Sequence, residues 1–156
     1  MPKKPASPAA VCRNRNAGFR FDILERIECG ILLTGSEVKS LRDRKASLEE
    51  SYARFQGPEL WLIGAHIHPY AQAGPRNHEP NRARKLLLHR RELDRLRLEI
   101  QQQGLTLVPV EAYFNDRGIL KITLGLARGR KIADRRQKLR EKDHKRDIDR
   151  AMHRRR

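Results

Sequence analysis

Apolar and polar residues alternate over several short stretches of the chain, with the period of two that is typical of a β-strand with one buried face. Six such runs are present, and they cover residues 19–24, 27–33, 52–55, 60–67, 106–114 and 120–126. Gly57-Pro58 separates the third run from the fourth, and Gly118 lies between the last two. Glycine and proline at these points favour tight turns, so the pattern predicts six strands that include two hairpins.

Two helices are predicted between the strands. A short one begins at Ser36 and ends near Arg44, because Ser36 suits an N-cap. A longer one covers about residues 85–103, and Gly104 closes it. Its apolar stripe consists of Leu86, Leu93, Leu96 and Ile100. The basic, proline-containing segment over residues 69–84 is long for a loop, and loops of this length are usually functional or disordered.

The number and order of these elements predict a mainly β fold with helices. We expect an OB-fold-like, six-stranded antiparallel barrel with flanking helices over residues 14–127. Pro109 cannot donate to a strand ladder, which predicts an edge or a bulge at that point. Residues 1–13 are rich in proline, alanine and serine, and they are expected to form a flexible leader.

Residues 128–156 form a basic tail with a different pattern. Their apolar residues do not share one helical stripe, so the tail cannot bury a helix face along its whole length. Opposite charges do recur at helical spacing, as in Asp134 with Lys138. Such pairs contribute only a few tenths of a kcal/mol each, and isolated helices are marginal. We therefore predict a tail that is disordered when free and helical on a partner.

The charge of the chain indicates the kind of partner that this fold binds. Its formal net charge is +16 over 156 residues. Residues 127–156 carry fourteen of the 35 Lys and Arg but only five of the 19 Asp and Glu. An excess of this size indicates a polyanionic partner, and basic tails commonly bind nucleic acid.

Several classes of function are disfavoured. No glycine-rich phosphate loop, nucleophile elbow or metal-ligand spacing occurs in the sequence, so we predict that the protein is not an enzyme and has no cofactor or metal. Cys12 and Cys29 fit no disulfide or zinc pattern and are expected to be reduced thiols. The start of the chain lacks a signal-peptide pattern, and no apolar run reaches membrane length. We expect a soluble, cytoplasmic protein.

Some residues fit contacts with RNA, although each also has an ordinary interpretation. Arg82, Arg84 and Lys85 would meet phosphates, or they would belong to a solvated basic loop. Leu87 would either join the core or present an apolar face to a nucleotide. Lys121 projects from the outer face of a strand, where a lysine also increases solubility. Glu28 would accept hydrogen bonds from RNA, or it would be an ordinary exposed glutamate.

The low aromatic content, 5%, argues against a protein that stacks a series of unpaired bases. It favours recognition of a folded RNA through its shape and backbone.

Between about residues 14 and 136, the chain resembles small protein B, the SsrA- or tmRNA-binding protein family. The resemblance depends on an ordered set of short motifs, each of which would be weak alone. The matching stretches include Asn14-Arg15-x-Ala17, Glu28-x-Gly30-Ile31-x-Leu33, Gly35-x-Glu37-Val38-Lys39-Ser40-Leu41-Arg42, Glu59-Leu60-Trp61-Leu62, Pro80-x-Arg82-x-Arg84-Lys85-Leu86-Leu87-Leu88 and Gly104-Leu105-Thr106-Leu107-Val108-Pro109.

The resemblance implies a role in trans-translation, in which stalled ribosomes are rescued and their peptides are tagged. It implies an OB-fold barrel that binds the tRNA-like domain of tmRNA, with RNA contacts at Glu28, Leu87 and Lys121. The candidate tmRNA-binding residues are, in full, Asn14, Arg15, Glu28, Arg82, Arg84, Lys85, Leu87 and Lys121.

The resemblance further implies that the tail binds 16S rRNA in the decoding centre and the empty mRNA path. The candidate tail residues are Gly129, Arg130, Lys131, Asp134, Arg135, Arg136, Lys138 and Arg140. Elongation factor Tu with GTP would be an indirect partner through the charged tmRNA, and we expect a monomer that binds no membrane. The chain departs from the family where Arg130 and Arg135 replace usual lysines and where Phe21 replaces a usual tyrosine. A general OB-type or ribosomal RNA-binding protein and an RNA-processing enzyme are the alternatives.

Overall fold

A computed structural model of the chain describes residues 8–154. Residues 1–7 of the predicted leader and residues 155–156 of the predicted tail lie outside the described part. The elements follow in chain order as β1 (Ala10–Arg13), α1 (Ala17–Arg20), β2 (Phe21–Ile31), α2 (Gly35–Arg42), β3 (Ala46–Ser47), β4 (Tyr52–Gln56), β5 (Glu59–Ile63), β6 (His66–Ile67), a 3-10 helix (Ala71–Arg76), β7 (Arg84–Leu87), α3 (Arg90–Gln103), β8 (Thr106–Phe114), β9 (Leu120–Gly129) and α4 (Ile132–Arg154).

Six antiparallel strands form a closed ring, which confirms the predicted mainly β fold with helices. The ring runs in the order β8, β4, β5, β7, β2 and β9, and pairing of β9 with β8 closes it. Both predicted hairpins are present, since β4 pairs with β5 and β8 pairs with β9. The short strands β3 and β6 pair with each other outside the ring.

The ring has six strands, as predicted, but they do not all correspond to the six predicted runs. The first two predicted runs are one continuous strand, β2, which begins at Phe21 because residues 17–20 form α1. The sixth strand is β7, at a place where the sequence predicted a loop and then the start of a helix. Arg84 and Leu86 point into the ring while Lys85 and Leu87 point outward, which is the alternation of a strand. Helix α3 begins at Arg90, and His89 is its N-cap residue. The His89 amide donates a hydrogen bond to the Glu92 carboxylate at 3.3 Å.

The first strand overlaps the last residues of the predicted leader. Ala10–Arg13 form β1, which pairs with β8 through Cys12 opposite Ala112 and Arg13 opposite Glu111. The ordered body therefore begins before Asn14, the predicted boundary. At the other end, β9 continues to Gly129, two residues past the predicted boundary at 127.

The core lies inside the ring and is closed at one side by α3. Leu60, Leu107 and Leu124 have no exposed surface, and Leu96 of α3 is equally buried. Pro109 lies at an irregularity of the β8–β9 pairing, where Val110 has no partner on β9. Of the two predicted alternatives at Pro109, an edge or a bulge, the structure has the bulge. Beyond the bulge, the side chains of β8 change face, which places Tyr113 on the outside of the ring.

Candidate nucleic-acid interface

The outer face of β2, β8 and β9 is covered at one end. There Ala17 of α1 packs with Val108 and Ala127, and the half-buried Phe21 and Ile23 complete the cluster. Gly125 of β9 permits this packing, because a Cβ at that position would lie 3.1 Å from the Ile23 side chain. The half-buried phenyl ring of Phe21 packs against this small apolar cluster.

The other end of the same face is open, and a row of residues crosses four strands there. Leu87 of β7 is opposite Gly30 of β2, Gly30 is opposite Lys121 of β9, and Lys121 is opposite Tyr113 of β8. Leu87 is 43% exposed. Because Gly30 has no side chain, no side chain of β2 lies between Leu87 and Lys121. A Cβ atom on residue 30 would lie 3.4 Å from the Cβ atom of Leu87.

Glu28 lies two residues before Gly30 and shares its outward face. Its side chain is exposed, and its Oε2 accepts a hydrogen bond from the Tyr113 hydroxyl group. We name Glu28, Gly30, Leu87, Tyr113 and Lys121 the outer-face patch. The structure therefore brings together Glu28, Leu87 and Lys121, the three residues that the family resemblance singled out.

The outer-face patch combines three kinds of chemistry within a shallow depression. A carboxylate accepts hydrogen bonds, an exposed leucine offers an apolar surface, and an ammonium group can pair with a phosphate. The exposed Ile119, which ends the β8–β9 turn, adds a second apolar side chain to the same depression. Such a mixture suits a folded RNA with exposed backbone and an accessible base or ribose.

Arg84 corrects the expectation of a basic loop that meets phosphates. Its side chain is fully buried, and its Nε donates to Glu37 Oε1 at 2.8 Å. A second nitrogen donates to the Ala65 carbonyl oxygen at 2.9 Å. Arg84 is thus a structural residue beneath the surface and does not face a phosphate.

Arg82 pairs with the same carboxylate. We name Glu37, Arg82 and Arg84 the Glu37 cluster. Arg82 donates to both oxygens of the buried Glu37 carboxylate, at 3.1 and 2.7 Å, and its own side chain is 35% exposed. Burial raises the pKa of Glu37, but hydrogen bonds from Arg82, Thr34 and Arg84 outweigh it, so the pKa lies below its usual value. The cluster fixes residues 80–84 relative to α2.

Three further residues of the body were predicted to bind tmRNA, and they differ in how accessible their side chains are. Lys85 forms an ion pair with Glu59, with 2.6 Å between the nitrogen and the oxygen, and it lies on the outside of β7. Asn14 donates to the Pro109 carbonyl oxygen at 3.0 Å and accepts from the Asn16 amide, so its side chain holds the chain between β1 and α1. Arg15 is exposed beside it. RNA contacts at Arg15, Arg82 and Lys85 stay predictions.

The tail begins beside α1, at the covered end of the outer face of β2, β8 and β9. The Arg130 amide donates to the Arg20 carbonyl oxygen at 3.0 Å, and its guanidinium lies 3.6 Å from the Asp22 carboxylate. Lys138, predicted to pair with Asp134, instead donates to the Gly18 carbonyl oxygen at 3.2 Å, because the start of α4 rests beside α1. The residues predicted to bind the ribosome, other than the half-buried Arg130 and Arg135, are exposed.

Helix α4 leaves the body after these contacts. All side chains over residues 136–154 are exposed, including Leu139, Ile148 and Met152. A helix without a buried face depends on a partner or on its own weak charge pairs for stability. The predicted disorder of the free tail stays a prediction.

Comparison with known proteins identifies the group to which this fold and this face belong. A family model described as "SmpB protein" matches residues 11–154. The chain belongs to the SmpB family.

Several curated relatives of this SmpB-family chain carry the name "SsrA-binding protein". One from Allorhizobium ampelinum is 49% identical over 142 residues, which cover 91% of this chain and 90% of the relative. One from Caulobacter vibrioides is 50% identical, with 91% and 93% covered. One from Rhodopirellula baltica is 45% identical, with 92% and 82% covered.

A solved structure gives the same result for the fold of the SmpB-family chain. It is described as "tmRNA-SmpB: a journey to the center of the bacterial ribosome". The matching chain is 51% identical, with a TM-score of 0.64 over 77% of this chain and 84% of that chain.

One residue of the patch was missed by the sequence analysis of this SmpB-family chain. Tyr113 was assigned to a strand without a role. The bulge at Val110 is the signal that could have placed Tyr113 outside, since it changes the face of every later residue of β8.

The two cysteines of this SmpB-family chain are free thiols. Burial raises the pKa of Cys12 to about 11 and that of Cys29 to about 12, so both stay protonated at neutral pH. Within residues 8–154, no cluster of three or more His, Cys, Asp or Glu side chains could hold a metal ion. No helix in that range is long and apolar enough to cross a membrane.

Proposed function

We propose that this chain binds the tRNA-like domain of tmRNA and delivers it to stalled ribosomes for peptide tagging. The observation that carries the proposal is the outer-face patch, in which a carboxylate, an apolar surface and a lysine share one open face of the ring. Family membership and the names of the relatives support tmRNA as the RNA. The net charge of +16 supports a strong electrostatic contribution to affinity.

In this proposal the body and the tail have different tasks. The patch binds tmRNA, while the exposed α4 enters the decoding centre and the mRNA path and contacts 16S rRNA there. Elongation factor Tu with GTP takes part indirectly, through the charged tmRNA. The protein acts in the cytoplasm, as a monomer, and binds RNA without catalysing a reaction or using a cofactor.

The first test compares RNA ligands. At one fixed salt concentration, the full chain is expected to bind tmRNA much more tightly than an unrelated tRNA, because the patch contributes contacts beyond charge. Both affinities should fall steeply as salt rises, since each neutralised phosphate releases counterions. Filter binding over a salt series would measure both. Equal affinities for the two RNAs would favour a general RNA-binding protein.

A substitution in the patch gives a second test. Lys121→Ala is expected to weaken tmRNA binding by about 1–2 kcal/mol, roughly 5- to 30-fold, because a charge-assisted contact is lost. The matched control is Arg54→Ala, which removes an exposed strand cation from β4, outside the patch. Its effect should be small and equal for all RNAs. If both variants lose the same affinity, the patch has no special role, and an unfolded Lys121→Ala protein would make Lys121 structural.

A further inference from the structure

Tyr113 donates a side-chain hydrogen bond to Glu28, another member of the outer-face patch. It lies on β8 and Glu28 lies on β2, so the phenol ring crosses β9 to reach the carboxylate. Lys121, opposite Tyr113 on β9, stands beside this link. The bond therefore ties together both outer strands of a three-stranded segment at the place where RNA is proposed to bind.

The bond uses only one side of the Glu28 carboxylate. The Tyr113 hydroxyl group donates to Oε2, and among residues 8–154 no donor is assigned to Oε1. A carboxylate can accept about four hydrogen bonds, so Oε1 is available to a base amino group or a 2′-hydroxyl group. An exposed glutamate without a partner would lose much of its side-chain entropy when RNA orders it. A glutamate already held by tyrosine loses less of it on binding.

The donor also stays in place at the pH of the cell. Burial raises the pKa of Tyr113, and the hydrogen bond to Glu28 raises it further. The phenol therefore keeps the proton that it donates, and the direction of the bond is fixed from tyrosine to glutamate.

We propose that Tyr113 is a positioning residue, which holds the Glu28 carboxylate in the orientation that meets tmRNA. The proposal depends on the proposed function of the patch. Tyr113 acts through Glu28 and not through a contact of its own with RNA. The apolar ring serves as a rigid arm, and the hydroxyl group is the only part that the role requires.

A double-mutant cycle tests this mechanism, with Tyr113→Phe, Glu28→Ala and the two combined in the full-length chain. Tyr113→Phe keeps the ring and is expected to weaken tmRNA binding by about two- to tenfold, the value of one ordinary hydrogen bond. In the Glu28→Ala background the same change is expected to have no effect, because the carboxylate that tyrosine positions is gone. Thermal unfolding of Tyr113→Phe should match that of the wild type.

A spectroscopic readout without RNA accompanies the cycle. Absorbance titration at high pH should show one tyrosine whose midpoint falls towards the usual value of about 10 when Glu28 is replaced by alanine. Additive effects in the cycle would mean that Tyr113 contacts RNA itself, and a Tyr113→Phe variant with unchanged affinity would mean that the bond is irrelevant. Either result overturns the proposal for Tyr113. A wild type without preference for tmRNA would instead contradict the proposed function.

Discussion

Removal of the chain after Lys131 is expected to abolish peptide tagging on stalled ribosomes while leaving the preference for tmRNA over tRNA intact. The truncated protein keeps β9 to its end at Gly129 and keeps the backbone bond from Arg130 to Arg20. Lys121 lies eight residues before Gly129, which is about 26 Å along a strand that rises about 3.3 Å per residue. The patch is therefore distant from the cut.

The ratio of the two affinities is the informative measurement, because truncation also removes many positive charges. Eleven Lys and Arg lie beyond Lys131, and their loss should lower the affinity for every RNA and flatten its salt dependence. A reconstituted translation reaction on a truncated message would measure tagging. Loss of the preference for tmRNA in the truncated protein would contradict the division between body and tail.

A matched pair of substitutions separates the helical form of the tail from its charge. Arg140→Pro and Arg140→Ala remove the same charge from an exposed position inside α4. Proline in a helix interior costs about 3 kcal/mol or more, so only Arg140→Pro should prevent α4 from forming. Tagging is expected to fall with proline and to persist with alanine. Equal activity of the two variants would mean that the tail does not act as a helix.

The fold could be predicted from sequence where one strand face is apolar and the other is polar. Strand β9 satisfies this over most of its length, and its hairpin with β8 follows directly. Strand β7 could not be recognised, because Arg84 occupies an inward position that a hydrophobic pattern assigns to a polar face. Its partner Glu37 is 47 residues away, so no local pattern reveals that the charge is neutralised. The apolar run after Arg84 was consequently assigned to a helix.

The candidate site shows the same limit. From sequence, Leu87 was open to either a core or a surface role, and the strand alternation of β7 decides it, since Leu86 points inward and Leu87 outward. Lys121 was placed on an outer face, because it lies on a strand of clear period. Tyr113 could not join them because Pro109 left an edge or a bulge open, and only a bulge, with its single extra residue, reverses the face of the later part of the strand.

Glu37→Ala is expected to lower the free energy of unfolding by about 3–5 kcal/mol, since it leaves the buried Arg84 guanidinium without its counter-charge. Carbonyl oxygens of Ala65 and Pro80 still accept from Arg84, at 2.9 and 3.1 Å, but they carry no full negative charge. Urea unfolding would measure the loss. The loss is large compared with the 5–15 kcal/mol that is typical of whole domains.

The matched control is Glu25→Ala, which breaks a two-oxygen ion pair with Arg95 at 2.9 and 3.0 Å on the surface. Both partners there are about two-fifths exposed, so the loss should stay below about 1 kcal/mol. The double variant Glu37→Ala with Arg84→Met should recover much of the stability, because it removes the stranded charge as well. Equal effects of Glu37→Ala and Glu25→Ala would show that burial of the Glu37 cluster does not matter.

The same cluster predicts how stability changes in acid. Because the pKa of Glu37 is lowered in the folded protein, its contribution is complete above the unfolded value of about 4.3 and is lost as pH falls through the folded pKa. Once Glu37 is protonated, Arg82 and Arg84 have no negative charge beside them. In the Glu37→Ala variant they lack this charge at every pH. The free energies of unfolding of wild type and Glu37→Ala should therefore converge towards low pH. A constant difference between the two from neutral pH down to about pH 2 would show that the ionised carboxylate is not what stabilises residues 80–84.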